Sequence, residues 1–355
     1  MSGARGELRS LTALRGVAAL AVVAQHFSAT AQGLTRTTIP SLVPHGYMAV
    51  DFFFVLSGFI MCYTYADAFL ARRPRAYRDF LGRRVARVIP LHVCVILLIL
   101  LAGALSQAIA GIDIFLPPAL TPSDVAAHLT LLSGLGLGAA INGPSWSIST
   151  ELVAYLLFPV LMLGVFHRRA PIAAVSAAAA CGVVVALAAQ LPRFGLAYDA
   201  PPGSVLRCVS EFTLGMCAYR TYQHPPLRAF LAGNLATTAL ALASVAALLL
   251  RIDLLAALLF PPLVVAFAAN TGTPARWMGS RVPYFLGVVS YSIYLIHNPL
   301  RAVVLLAAQT LLPSDAGPVV ALLVAAVGTV AVIPFAWVAY RWIEVPGRDL
   351  VRRVL

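Results

Sequence analysis

An arginine and a histidine lie eleven residues apart in the first apolar segment of the sequence. The segment, residues 11–27, reads LTALRGVAALAVVAQHF and contains Arg15 and His26. Eleven residues are almost three helical turns, so the two side chains share a helix face about 16 Å apart along the axis. Ionisable residues in membrane-spanning helices are candidates for function because each costs at least about 2.5–3.5 kcal/mol. The structural alternatives are snorkelling of Arg15 towards the membrane surface and a simple hydrogen bond of His26.

Two intramembrane carboxylates are candidates for function, and the first of them, Asp51, could orient this histidine. Asp51 lies among phenylalanines in MAVDFFFVLSGF, and Glu151 lies four residues after Ser147 in WSISTELVAY, which begins at Trp146. A carboxylate bound to an imidazole positions the ring and raises its basicity, the arrangement that general-base catalysis uses. A helix-dipole contact of Asp51 and a structural partner for Glu151 are the alternatives.

A third polar pattern precedes a proline. SYSIYLIHNP places Ser290, Tyr294 and His297 on one helix face at i, i+4 and i+7, just before Pro299, which should kink the helix. A polar stripe of this kind is typical of a cavity lining, and hydrogen bonding between helices is its alternative.

Arginine spacing adds two predictions. In the loop RRPRAYRDFLGRRVAR, Arg84 and Arg87 are three residues apart and project together, as suits the phosphates of a donor such as coenzyme A. The alternative is an orientation signal or contact with anionic lipid. Arg207 and Glu211, four residues apart, are expected to neutralise each other as a structural pair.

The composition indicates a polytopic membrane protein. Of 355 residues, 61% are hydrophobic and 11% charged, whereas soluble domains carry about 25% charged residues. The net charge of +12 does not indicate nucleic-acid binding, because the arginines lie in short loops between apolar runs. The five cysteines lie singly without a CxxC pair, and there is no HExxH, so neither a metal site nor a disulfide framework is expected.

Ten apolar segments are long enough to span a membrane, which predicts an all-α bundle that forms a single domain over residues 1–355. The predicted spans are residues 11–31, 47–70, 88–110, 145–166, 171–190, 204–222, 229–250, 254–270, 284–310 and 318–340. The first is interpreted as a retained span and not as a signal peptide. The short apolar segment 124–140 is interpreted as an interfacial or re-entrant helix within an outer loop, residues 111–144.

The arginines predict the orientation of the bundle. With both termini in the cytoplasm, nineteen of the 25 basic residues lie inside, including Arg5 and seven arginines of the cytoplasmic loop 71–87. Arg36, Arg193 and Arg251 lie outside. This bias follows the positive-inside rule. Arg15, Arg207 and Arg301 then remain in or beside the membrane.

The ordered set of motifs resembles acyltransferase family 3. LRGVAALAVVAQH, with its arginine and histidine, resembles the opening span of that family. The resemblance continues, in order, through VDFFFVLSGF (50–59), RRVARVIPLH (83–92), WSISTE (146–151), EFTLGM (211–216), SYSIYLIHNP (290–299) and RWIEVP (341–346). Each motif alone is weak, but the ordered set covers nearly the whole chain and is specific.

The resemblance implies a multi-pass enzyme of the cytoplasmic membrane without a permanently bound cofactor. Such enzymes transfer an acyl group, commonly acetyl from acetyl-CoA, from the cytoplasmic side to a hydroxyl of a carbohydrate or glycosylated acceptor outside. Arg15, Arg84 and Arg87 are then expected to hold the donor. His26, oriented by Asp51 or Glu151, is expected to take the hydroxyl proton, or alternatively to form an acyl-histidine.

The sequence departs from the family pattern in two places and leaves an alternative open. His92 stands where an aromatic residue is frequent, and there is no additional hydrolase-like domain, so the bundle and its outer loops are expected to recognise the acceptor. The main alternative is a transporter or flippase of a lipid-linked sugar, which would need the same intramembrane charges. The lack of an inverted repeat and the paired arginines favour acyl transfer. The identity of the acceptor and the length of the acyl chain remain open at this point.

Overall fold

The structure, a computed structural model, describes residues 6–35, 39–111, 115–190, 200–311 and 316–354. These residues form α-helices, short turns and no β-strand, which confirms the all-α prediction. The helices are α1 (Arg9–Thr35), α2 (Ala49–Leu70), α3 (Ala76–Ala110), α4 (Pro122–Leu129), α5 (Ser145–Val165), α6 (Ala170–Gln190), α7 (Gly203–Gln223), α8 (Pro225–Leu231), α9 (Asn234–Leu249), α10 (Asp253–Ala269), α11 (Thr273–Met278), α12 (Arg281–Val288), α13 (Ser290–Leu311), α14 (Pro318–Ala339) and α15 (Val345–Val354).

Seven helical segments of the described chain are long and apolar enough to cross a membrane, or eight if α8 and α9, which meet at 70°, form one broken span. The helix α10 is apolar but shorter, with 17 residues. The helix α7 has 21 residues, but it carries Arg207, Glu211 and Arg220. A polytopic membrane protein is therefore supported, whereas the count of ten spans and the cytoplasmic location of both termini stay predictions. Arg5, Arg36 and Arg193, on which the orientation partly depends, lie outside the described residues.

The short helix α4 lies in the predicted outer loop. Its eight residues extend about 12 Å, too little to cross a hydrocarbon core of about 30 Å. Thr121 and Asp124 form a reciprocal capping box at its N-terminus, and an Asp124 carboxylate oxygen accepts a 2.8 Å hydrogen bond from the Ala139 backbone. The hydrogen bonds from Thr121, and then that from Ala139, lower the pKa of Asp124. The interfacial location of α4 stays a prediction.

The chain divides into two compact units. The first comprises Met1–Ala18, Tyr47–Leu81 and Glu151–Val288, and the second comprises Ala19–Gly46, Gly82–Thr150 and Val289–Leu355. The single domain predicted over residues 1–355 stays a prediction beside this division.

In the first unit, α2 and α7 run parallel with their backbones in close contact. A Cβ atom at Gly58 would lie 1.9 Å from the Phe212 carbonyl oxygen, and one at Gly215 would lie 1.9 Å from the Val55 carbonyl oxygen. Only glycine permits this approach, because any side chain would overlap the backbone of the other helix. The contact places the polar residues of α2 and α7 within reach of one another.

In the second unit, the polar residues singled out in the sequence lie on α1, α3, the start of α5 and α13. A Cβ atom at Gly328 of α14 would lie 2.3 Å from the Phe27 ring of α1, so these helices also pack closely. A π-helical turn, Tyr340–Glu344, joins α14 to α15. Such turns alter the helical register locally and are frequent at functional sites.

Candidate functional site

A pair of histidines forms the centre of the candidate site in the second unit. Nδ1 of His26, on α1, lies 2.8 Å from Nε2 of His297, on α13, and the two rings stack with centroids 5.0 Å apart. His297 is completely buried, whereas His26 is half-buried. The two helices therefore hold one imidazole inside the unit and leave the other partly accessible.

The hydrogen bonds determine which nitrogen of His26 can act as a base. Nδ1 of His297 lies 2.6 Å from the Tyr294 carbonyl oxygen, which can only accept, so this nitrogen carries a proton. In a neutral His297 ring Nε2 is then the acceptor, and His26 donates to it from Nδ1. The second nitrogen of His26, Nε2, is left with its lone pair and has no hydrogen-bond partner among the described residues. It has the electronic form of a general base.

Two hydroxyl groups are fixed one turn from His297. Ser147 Oγ and Tyr294 Oη are 2.8 Å apart, and they lie 3.1 and 3.2 Å from the Pro144 carbonyl oxygen. Each hydroxyl has one proton, so one donates to the carbonyl and the other donates to its neighbour. The start of α5 is thereby attached to α13 beside the histidine pair.

Pro299 explains another contact between the same segments. Because proline has no N–H, the Leu295 carbonyl lacks its usual partner four residues later in α13. The side chain of Asn142 supplies the missing donor: its Nδ2 lies 3.1 Å from the Leu295 oxygen. Asn142 is completely buried, and its Oδ1 has no hydrogen-bond partner among the described residues. The loop before α5 thus compensates for the proline.

A second polar group surrounds Arg87 on α3. Its guanidinium forms an ion pair with the buried Glu344 of the π-helical turn, and it lies 5.5 Å above the ring of Tyr291. The other oxygen of Glu344 accepts a 2.7 Å hydrogen bond from Ser292 Oγ. The arginine predicted to bind a donor therefore has an internal carboxylate partner, which holds its planar group in one orientation.

A second histidine pair in the second unit joins α3, which carries His92, to α4, which carries His128. The rings of His92 and His128 stack with centroids 5.6 Å apart, and His92 Nε2 donates to the His128 carbonyl oxygen over 2.8 Å. The ring nitrogens of His128 face the backbone N–H groups of Ile141 and Asn142, each at 3.3 Å. Burial, and then the neighbouring His92, lower the pKa of His128 to about 4. These interactions hold the loop before α5.

Asp51, predicted to orient His26, has a different partner. Nε of Arg207 donates to Asp51 Oδ1 over 2.7 Å, and a second guanidinium nitrogen binds Oδ2. Both residues are buried in the first unit, so this is a two-pronged ion pair between α2 and α7. The predicted Arg207–Glu211 pair is corrected accordingly: Arg207 directs its hydrogen bonds to Asp51, and Glu211 lies within electrostatic range of both. The close contact of the two helices explains the choice.

The partner of His26 also differs from the prediction. The sequence predicted that Asp51 or Glu151 orients His26, whereas its Nδ1 binds His297. Glu151 and Arg15 are half-buried and belong to the first unit. Arg84, Trp146 and Ser290 belong to the second unit; Ser290 is buried, and the other two are half-buried. The structure thus groups His26, Arg84, Arg87 and the cavity-lining candidates in one unit. Catalytic roles for Asp51 and Glu151 and donor binding by the arginines stay predictions.

Sequence reasoning missed four residues that complete the site. Glu344 had a usable signal, because it is the single acid of the RWIEVP motif. Asn142 could have been sought as the partner of a proline-freed carbonyl. Ser292 offered no distinguishing spacing, whereas Arg301 was placed in or beside the membrane without a role, although it follows His297 by four residues. Among the described residues, no group of three or more His, Cys, Asp or Glu side chains could hold a metal ion.

Comparisons with known proteins agree with the motifs. The family model described as an acyltransferase domain, Acyl_transf_3, matches residues 8–341. The chain is also similar to "Acyltransferase MdmB" of Streptomyces mycarofaciens, with 31% identity over 161 residues. That match covers 43% of this chain and 38% of the relative's length. No solved structure matches the chain.

Proposed function

Since the chain belongs to acyltransferase family 3, we propose that it is a membrane-embedded O-acyltransferase of the cytoplasmic membrane. It takes an acyl group, acetyl in the first instance, from acyl-CoA on the cytoplasmic side. It delivers this group to a hydroxyl of a carbohydrate or glycosylated acceptor on the outer side.

The observation that carries the proposal is the hydrogen bond between His26 and His297. A histidine in an apolar helix could serve only as a packing contact. Here, however, the chain of hydrogen bonds from the Tyr294 carbonyl through His297 leaves the lone pair on Nε2 of the more accessible ring. An O-acyltransferase needs a base with this property to remove the proton of the acceptor hydroxyl.

The proposed reaction conserves atoms and charge. His26 Nε2 takes the hydroxyl proton while the oxygen attacks the thioester carbonyl carbon. The carbon–sulfur bond then breaks, an ester forms, and the His26 imidazolium returns the proton to the coenzyme A thiolate. During the reaction the added positive charge on His26 is stabilised by its Nδ1–H···Nε2 bond to His297. His297 is therefore a positioning residue.

The donor is proposed to bind through arginines. Arg84 and Arg87 lie one turn apart on α3, and guanidinium groups bind phosphate in two-pronged fashion. Glu344 pre-orients Arg87, and Arg15 adds a further cation for the donor. Asp51, paired with Arg207, is proposed to stabilise the contact between α2 and α7. Glu151 is proposed to support Trp146 and Ser147, which precede it in α5.

The test uses purified protein in detergent with radiolabelled acetyl-CoA and crude cell-envelope glycan. We expect His26-dependent release of coenzyme A and transfer of label to glycan, both abolished in His26→Ala. The exposed His224 provides the control, because His224→Ala removes an imidazole outside the site. Arg87→Gln should raise the KM for acetyl-CoA more than it lowers kcat. Transfer of label to glycan by His26→Ala at the wild-type rate would overturn the proposal. Label that stayed covalently on the wild-type protein without acceptor would indicate an acyl-histidine and not direct transfer.

A further inference from the structure

A cavity of about 130 Å³ lies in the second unit, along the part of α13 that follows His297. Its polar lining comes from Asn298 and Arg301 of α13, the residues that follow His297 at one and four positions. Its apolar lining includes Ile99 of α3 and Ile141 of the loop before α5. Ligand sites commonly have this form, mostly apolar with a few convergent polar groups.

Arg301 is unusual because it lies at the twelfth of the 22 residues of α13, in the middle of a span candidate. It is half-buried and, among the described residues, forms no hydrogen bond or ion pair. The amide of Asn298, one turn earlier on the same cavity wall, also has no partner in the described chain. Intramembrane arginines almost always pair or face a functional cavity, and here the cavity is present.

The acidic residues of the unit do not neutralise Arg301. The described part of the second unit contains three of them: Asp124, Glu344 and Asp349. Asp124 caps α4 and binds the Ala139 backbone, Glu344 binds Arg87 and Ser292, and Asp349 lies 3.7 Å from Arg348. A guanidinium that has no counter-charge among the described residues of its unit, aligned with an amide at a small cavity, is suited to bind an anion.

We infer that Arg301 and Asn298 bind an anionic group of the acceptor, a carboxylate or a phosphate, and so direct a neighbouring hydroxyl towards His26. This inference rests on the proposed function and deepens it, because it defines the acceptor as an acidic glycan. Arg301 is electrostatically coupled to both His26 and His297, so an anion held there lies close to the reacting pair. The cavity is smaller than the 300–1,000 Å³ typical of ligand pockets, so it holds one charged group and not a whole oligosaccharide.

Binding of a matched pair of probes tests the inference independently of turnover. Methyl glucuronide and methyl glucoside differ only at C6, which is a carboxylate in the first and a hydroxymethyl group in the second. We expect the glucuronide to bind purified wild-type protein about tenfold more tightly, as one charge-assisted hydrogen-bonded contact predicts. This preference should vanish in Arg301→Gln, be partly kept in Arg301→Lys, and be unchanged in Arg276→Gln, which alters an exposed arginine. Equal binding of the two probes, or no binding of either, would overturn the inference.

Two further measurements distinguish the possible sources of failure. Acetyl transfer by the same preparations separates the two proposals: His26-dependent transfer without a glucuronide preference contradicts only the anionic acceptor, whereas the preference without transfer contradicts only the proposed function.

Nanodiscs of phosphatidylcholine, with and without phosphatidylglycerol, test whether the bound anion is a lipid headgroup. If phosphatidylglycerol displaced the glucuronide from wild type and stabilised wild type but not Arg301→Gln, the anion would be a lipid phosphate and the assignment to the acceptor would be wrong.

Discussion

Two histidine pairs with nearly the same ring geometry occur in the second unit, and they differ in how their nitrogens are used. The rings of His26 and His297 and those of His92 and His128 both stack at an angle of 19°. In the second pair, His92 donates to a carbonyl and His128 faces two backbone N–H groups. In the first pair, Nε2 of the half-buried His26 has no hydrogen-bond partner among the described residues. A histidine pair is thus a candidate for catalysis when one nitrogen is left available, and structural when its nitrogens all face backbone groups or, as for His92 Nδ1 and Ser145, a neighbouring hydroxyl.

The largest effect is expected at His26. We predict that His26→Ala lowers kcat for acyl transfer about 10²- to 10⁴-fold, the usual contribution of a general base. The melting temperature should fall only slightly, because the variant loses one hydrogen bond and leaves Nε2 of the buried His297 without its donor. Initial rates with saturating acetyl-CoA, together with thermal unfolding of the same preparation, measure both quantities. A variant that lost activity only because it failed to fold would show a lower melting temperature.

A smaller effect is expected at His297. Removing the group that orients His26 should lower kcat by about 10- to 100-fold, as for partners that orient metal-bound histidines, and leave the KM for acetyl-CoA unchanged. The pH dependence of kcat should also shift, because His26 then loses the acceptor of its Nδ1 proton. His297→Gln, whose side-chain oxygen can accept that proton, should recover part of the rate. If His297→Ala and His297→Gln were equally slow with unshifted pH profiles, the role of His297 would be packing alone.

At the second pair the expected effect is on stability. His128→Phe keeps the ring volume but removes the one acceptor nitrogen that the neutral imidazole offers to the backbone N–H groups of Ile141 and Asn142. We predict a loss of about 1–3 kcal/mol in the free energy of unfolding, the cost of a buried unsatisfied group. The rate per folded molecule should stay within a few fold of wild type. A large loss of kcat with unchanged stability would show that the two pairs are functionally alike.

The smallest predicted effect is the pH dependence of stability. The pKa of His128 is about 4 in the folded protein and 6.5 for an ordinary histidine, so the unfolded chain binds more protons between these values. The contribution of neutral His128 to the stability of the folded protein is therefore complete above about pH 6.5, and it decreases as the pH falls towards 4. Melting temperatures over this range should fall more steeply for wild type than for His128→Gln. Parallel curves for the two proteins would contradict the contribution of His128.

The sequence predicted the seven long apolar helices because each is an apolar run of span length, but it did not predict the short helices α8, α11, α12 and α15. It also singled out His26, Ser147, Tyr294 and His297, and the structure joins these into one set of contacts. Spacing on α13 was sufficient for Tyr294 and His297, which share one face of that helix, whereas their contacts with His26 on α1 and Ser147 on α5 come from helix packing.

The partners of these residues were not predictable, because they are distant in sequence. Arg87 and Glu344 are 257 residues apart, and Arg207 and Asp51 are 156 apart. The local rule for pairs four residues apart assigned Arg207 to Glu211, yet the close packing of α2 and α7 at Gly58 favoured Asp51. Helix packing decides such pairs, and a single sequence does not reveal it.

The contact that compensates for Pro299 has a consequence for biogenesis. Asn142 precedes Leu295 by 153 residues, so its amide is synthesised long before the carbonyl that it binds. In lipid an unsatisfied carbonyl costs several kcal/mol, and α13 therefore enters the bilayer with an exposed defect. That defect is removed only when α13 docks against the loop before α5. Insertion and docking of α13 are thus coupled, and truncated chains that end before residue 142 would be poor partners for a separately expressed C-terminal half.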